Sequence, residues 1–140
     1  MRNDAREAAL NIIFAQQFNT DCMDVLKRSV FKRFKLERDD DLIFASDLVA
    51  MVEDHRDQLI AWIEDVCHHY KENRINPTDK SILLIAMAEI KYFDDIPPVV
   101  SVAEATNLAR KYSTEKSADF VNGVLSGVIN VRVGGEDANS

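Results

Sequence analysis

Six cations, Lys27, Arg28, Lys32, Arg33, Lys35 and Arg38, crowd one short stretch in which Glu37 is the sole acid, with Phe31 and Phe34 between them. Cations at this density make phosphate contacts, and interleaved aromatic rings offer faces for base stacking. Arg28, Lys32 and Lys35 share one face at helical spacing, so the stretch reads as a basic stripe with Lys32 and Lys35 as candidate RNA contacts. The competing reading is a solvated face opposite a buried Val30/Phe34 stripe. Spacing alone carries no base-reading signature.

The other chemically capable groups point away from catalysis. Cys67-His68-His69, with His55 upstream, is the one metal-like cluster. Neighbouring helical side chains point about 100° apart, so three in a row do not converge on one ion, and no metal or other cofactor is expected. Glu53-Asp54, Glu64-Asp65 and Asp94-Asp95 are adjacent carboxylates, which read as solvated charge rather than an acid/base pair facing a pocket. Neither a nucleophile elbow nor a Gly-rich phosphate loop is present. Glu89 is different: it stands in an apolar run, where an unpaired carboxylate is costly. A structural ion pair, with Arg6 as the candidate partner, is the favoured account, ahead of a partner-facing role.

These residues need a scaffold, and composition describes one. The chain has 140 residues, 46% of them hydrophobic, with a net charge of −7. That length fits a single domain with a real core. Four glycines and three prolines are too few for regularly spaced strand turns, so an all-α bundle is the economical fold. An acidic chain binds nucleic acid only through a local basic patch or a partner's charge. Two cysteines, no basic-then-apolar opening and no apolar run of about 20 residues fit a cytoplasmic protein that does not enter a membrane.

Periodicity then places the helices. A first helix from Asn3 carries Ala5, Ala9, Ile12 and Ile13, and a second, N-capped by Asp21, buries Val25, Leu26, Val30 and Phe34. A third carries Leu42, Ile43, Ala45, Leu48, Val49 and Val52. Its continuation carries Leu59, Trp62, Ile63, Val66 and Tyr70, with a joint at His55-Arg56-Asp57. Asn76-Pro77-Thr78-Asp79 is a strong start signal, and Ile82, Leu83, Leu84, Ile85, Met87 and Ile90 leave the helix that follows almost no polar side. Pro97-Pro98 opens the next, with Val102, Ala105, Leu108, Ala109 and Tyr112 on one stripe. Ser113 or Thr114 caps the last, with Phe120, Val121, Val124, Leu125 and Val128 core-like and Gly123/Gly127 spaced for a close helix crossing. One domain over 1–131 and a flexible tail over 132–140 are expected.

In PTDKSILLIAMAEI, IPPVVSVAEATNLARKY, ADFVNGVLSGV and the opening AREAALNIIFAQQF, the chain resembles the bacterial NusB antitermination family; from Asp21 to about Asn73 the match is helix pattern only. The resemblance implies a seven-helix, two-subdomain bundle without enzymatic activity. It implies binding of the ribosomal protein NusE and, with it, of single-stranded boxA leader RNA, within antitermination complexes of RNA polymerase on ribosomal RNA operons. By the same resemblance, Phe14 falls where the family usually has an aromatic residue near both ligands and is read as a partner contact, and Asp79 falls at the acidic position that faces NusE. Leu84 and Ala88 take NusE-facing positions that are often polar and aromatic in the family. Arg2 and Arg6 match the RNA-contacting N-terminus, Lys116 adds a cation near the RNA side, and Phe120 and Asn122 match FVNG on the last helix. The family's opening is commonly a dense arginine run, whereas Asn3 and Asp4 stand here, which lowers phosphate affinity. Two other readings compete: a NusB-like protein-interaction module without RNA binding, and the regulatory domain of a ribosomal RNA cytosine methyltransferase. The second fares worse because no Rossmann-like domain follows before Ser140.

Overall fold

The computed structural model describes residues 2–36, 39–68 and 74–139, with the side chains at 39 and 131–139 outside the description. Glu37, Arg38, His69 and Tyr70 of the sequence reading lie outside these residues, as do the side chains of the expected tail. Among the described residues there are seven α-helices: α1 (Arg2–Gln16), α2 (Met23–Arg33), α3 (Asp39–Asp54), α4 (Arg56–Val66), α5 (Pro77–Tyr92), α6 (Pro98–Tyr112) and α7 (Glu115–Asn139).

Helix α5 is the axis of the bundle and packs against α1, α3, α4, α6 and α7. Its sequence explains this, because every residue from Ser81 to Ile90 is buried and no polar stripe is left for water. Burial of side chains such as Leu83, Leu84 and Ile85 contributes roughly 2 kcal/mol each. Leu84 and Ala88 belong to this core, completely shielded from solvent, so neither presents a surface to a partner. The start of α5 is fixed locally. Asn76 in extended backbone accepts from the Asp79 amide at 2.8 Å, its own amide donates to Asp79 Oδ2 at 3.0 Å, and Pro77 occupies the first helical position.

The other boundaries show where spacing misleads. His55 separates α3 from α4, so the third element and its continuation are two helices. Helix α2 is preceded by Cys22 in the left-handed region at φ 58°, not by a capping Asp21. At its other end the Leu36 amide donates to the Phe31 carbonyl and the Lys35 amide to that of Lys32, a Schellman closure. Lys35 occupies the left-handed position of this closure at φ 55°, where glycine is usual. Val25 and Ile43, expected inward, are each 57% exposed. Gly123 and Gly127 have open space where a Cβ would stand, so neither marks a close helix crossing. Thr114 is the cap of α7, accepting from the Ser117 amide at 3.0 Å. Among the described residues no helix is long and apolar enough to cross a membrane.

Candidate nucleic-acid and partner interface

Four helix ends meet at one end of the bundle: the C-termini of α1 and α6 and the N-termini of α5 and α7. Polar side chains fasten them. Gln17 donates to the Pro77 carbonyl at 2.9 Å and to the Ser81 hydroxyl, tying the end of α1 to the start of α5. Ser117 donates to Asp79 Oδ2 at 3.0 Å, and Ser113 to Ser117 at 2.8 Å, tying α7 to α5 and to the end of α6. Asp79 is therefore a buried clamp rather than an exposed partner contact. Its second oxygen, Oδ1, is shielded and has no hydrogen-bond partner among the described residues.

Two concave surfaces flank the first turn of α5. One, of about 370 Å³, is lined by Arg74, Ile75, Asn76, Asp79, Thr114, Lys116, Ser117 and Phe120. Arg74 and Lys116 are exposed and, among the described residues, unpaired, and the N-termini of α5 and α7 add their positive ends. Phe120, read both as core-like and, by resemblance, on the RNA side, is half-buried: it packs against the core and also lines this cavity. The arrangement suits a phosphate at the cations, a base against the ring, and a donor group for Asp79 Oδ1.

The other surface, of about 210 Å³, is lined by Leu10, Asn11, Phe14, Thr78 and Tyr112. Phe14 and Phe18 pack at 5.1 Å between ring centroids and are 37% and 64% exposed; Tyr112, expected on a buried stripe, is 39% exposed. The Tyr112 hydroxyl donates to Glu7 Oε1 at 2.7 Å, and Lys111 bonds the same oxygen. Burial raises the Glu7 pKa, but the bonds from Lys111 and Tyr112 and the Lys111 charge outweigh it and hold the carboxyl below its ordinary range. Burial and the bond to Glu7 push the Tyr112 phenol up. Arg33 of α2 donates to Asn11 Oδ1 at 3.0 Å, which brings one cation of the basic stripe to the rim of this groove. An aromatic groove with polar edges is the composition of protein-docking surfaces.

The remaining expected residues lie elsewhere. Arg6 is buried and binds Glu89 through two bonds of 2.8 Å, with Ser101 donating to the same carboxylate at 3.0 Å. This confirms the pairing expected for Glu89 and removes Arg6 as a phosphate contact, since its guanidinium is already held and desolvated. Arg2 pairs with Asp95 at 3.3 Å and lies 4.6 Å above the Phe44 ring. It stands roughly 18 Å along α1 from Phe14. Lys32 and Lys35 are exposed, while Lys27 pairs with Glu53 at 3.4 Å and Phe31 and Phe34 pack against the core. Asn122 is exposed and donates to Thr106 at 3.3 Å, about 9 Å along α7 from Lys116. Cys67 is buried and His68 exposed, so those two side chains diverge. Arg74, Ser117 and Phe18 enter the interface without a local signal; Tyr112 was visible only as part of the apolar stripe of its helix.

The fold and these two surfaces define a helical scaffold of the binding class, with a cationic cavity beside an aromatic groove. The NusB family model matches residues 3–130, and the chain belongs to the NusB family. It is 35% identical over 131 residues to the transcription antitermination protein NusB of Natranaerobius thermophilus, covering 92% of this chain and 94% of that one. The NusB protein of Listeria innocua is likewise 35% identical over 127 residues, covering 91% and 94%. Among solved structures, antitermination factors NusB and NusE in complex with double-stranded RNA include a chain that superposes with a TM-score of 0.84 at 24% identity, covering 93% of this chain and 96% of that one. NusB of T. maritima superposes with a TM-score of 0.82 at 24% identity, covering 90% and 88%. At these identities the superpositions establish the fold.

Proposed function

We propose that this protein is a transcription antitermination factor without catalytic activity, which docks the ribosomal protein NusE and holds single-stranded, boxA-type leader RNA together with it. The observation that carries the reading is the pair of unlike surfaces on either side of the α5 first turn. The aromatic groove at Phe14, Phe18 and Tyr112 takes the protein, and the cavity at Arg74, Lys116 and Phe120 takes a nucleotide of the RNA. The NusB names of the curated relatives and the NusB–NusE–RNA complex of one structural relative support the assignment. RNA affinity is partner-dependent in this account, because Arg6 is committed to Glu89 and Arg2 to Asp95, leaving few cations for phosphate.

The test is a pair of titrations. Phe14→Ser should lower NusE affinity at least about tenfold, the scale of one aromatic anchor, while Lys116→Glu should spare NusE and weaken RNA. Equal loss of both ligands in both variants would show one shared surface and defeat the division of roles.

A further inference from the structure

A concavity of about 650 Å³ lies at the other end of α1, away from both surfaces of the proposed interface. Its floor is apolar: Phe44 and Phe93 meet edge-to-face at 5.6 Å between centroids, and Ile43 stands 57% exposed beside them. Its rim is acidic, with Asp40, Asp41, Asp47 and Asp95. Helix chemistry accounts for only part of that rim. Asp40 and Asp41 stand in the first turn of α3, where a carboxylate meets the positive end of the helix. Asp47 in mid-helix and Asp95 in the α5–α6 connection have no such reason. Among the described residues Asp40 and Asp47 have no basic partner.

One guanidinium is already seated there. The Arg2 guanidinium carbon lies over the Phe44 ring, 4.6 Å from its centroid, and one guanidinium nitrogen bonds Asp95 at 3.3 Å, which displays the recognition mode of the groove: a cation over an aromatic ring, held by a carboxylate. The exposed carboxylates Asp40, Asp47 and Asp95 against the Arg2 guanidinium leave the rim acidic, which disfavours RNA there. We infer that this groove docks a basic, arginine-bearing amphipathic segment of a partner protein, its arginines over Phe44 and along the aspartates and its apolar residues against Ile43 and Phe93. Arg2 is then a weak internal occupant that the segment displaces. Arginine rather than lysine is the required cation, because only the planar guanidinium stacks and binds a carboxylate through two donors at once.

The test uses the full chain and three synthetic helical peptides of one design: arginines and leucines at three-and-four spacing, the same with lysines, and the same with glutamates. Calorimetry at low salt, with backbone amide shifts to locate the contact, should show the arginine peptide binding best and the glutamate peptide not at all. Shifts should concentrate at 40–47 and 93–95. Asp40→Asn/Asp47→Asn should weaken the arginine peptide about tenfold, the scale of two exposed charge pairs, whereas Glu64→Gln/Asp65→Asn on α4 should leave it unchanged. Arg2→Ala should strengthen binding, and Arg110→Ala, with the same change of net charge, should not. Equal effects of the two acidic double variants, or equal effects of Arg2→Ala and Arg110→Ala, would reduce the binding to bulk charge and overturn the proposal. Sedimentation of the free chain provides a further arm. Self-association that Asp40→Asn/Asp47→Asn dissolves would assign the groove to a second copy, with the α2 stripe as its ligand, and would also overturn the assignment.

Discussion

Arg6 and Glu89, 83 residues apart in sequence, are joined by two hydrogen bonds of 2.8 Å in the centre of the bundle. Both groups are almost wholly removed from water, and Ser101 occupies the carboxylate further. The pair fixes the register of α1 against α5 and α6, because a charge buried here is tolerable only with its partner in place. It also separates two roles that a basic N-terminus invites: Arg6 is part of the scaffold, not of the ligand surface.

Arg6→Ala should therefore act on stability. Leaving Glu89 buried and unpaired costs about 3–5 kcal/mol, read as a lower urea midpoint. Arg6→Met/Glu89→Leu, which removes both charges, should recover most of that loss. An Arg6→Ala protein of unchanged stability with a flattened RNA salt slope would return this residue to the RNA surface.

Glu7 carries a pH dependence with a definite sign. Its folded pKa lies below the ordinary 4.5, so the stability it contributes is fully present above that value and is lost as pH falls through the folded value. The stability gap between wild type and Glu7→Gln should be constant near neutrality and shrink in the acid range. Because Glu7 also orients Tyr112 on the aromatic groove, the variant should weaken NusE binding at neutral pH. A gap that widens on acidification would contradict the pairing.

Two substitutions should stabilise the chain. Lys35→Gly relieves a left-handed backbone position, and Gly123→Ala fills open space on α7; each is worth roughly 1 kcal/mol. Thermal unfolding checks both. Destabilisation by Gly123→Ala would mean that α7 is packed more closely here than the open space around this glycine allows.

At the cationic cavity, Phe120→Ala should lower RNA affinity by roughly 1–3 kcal/mol, the value of one stacked base, with the salt slope unchanged. Lys116→Ala should reduce the slope by about 0.7. Exchanging these two signatures would mean that the cavity does not hold a nucleotide in the orientation described.

How much of this was legible follows from how local each signal is. The start of α5 was plain because Asn76, Pro77 and Asp79 act on one another within a single turn. The Glu89 partner could be guessed because burial in an apolar run demands one. Val25 and Ile43 misled because an apolar residue on the flank of a short helix fits either face, and only the neighbouring helices decide. Leu84 and Ala88 took partner-facing roles from the resemblance, but at these positions α5 is enclosed by neighbouring helices and neither side chain reaches the surface. The site itself draws on four helix ends, so Arg74, Ser117 and Tyr112 join it only through tertiary packing.

The central claim is partner-dependent RNA binding at the Lys116–Phe120 cavity. It is tested most directly by titrating boxA-like and scrambled single strands at several salt concentrations, with and without NusE. The account predicts weak, salt-sensitive and unselective binding by the chain alone. NusE should bring a gain of at least about tenfold for the boxA-like strand, within the usual range of coupling between sites, and Lys116→Glu or Phe120→Ala should abolish it. Absence of RNA binding under every condition, or a gain that survives both substitutions, would contradict it.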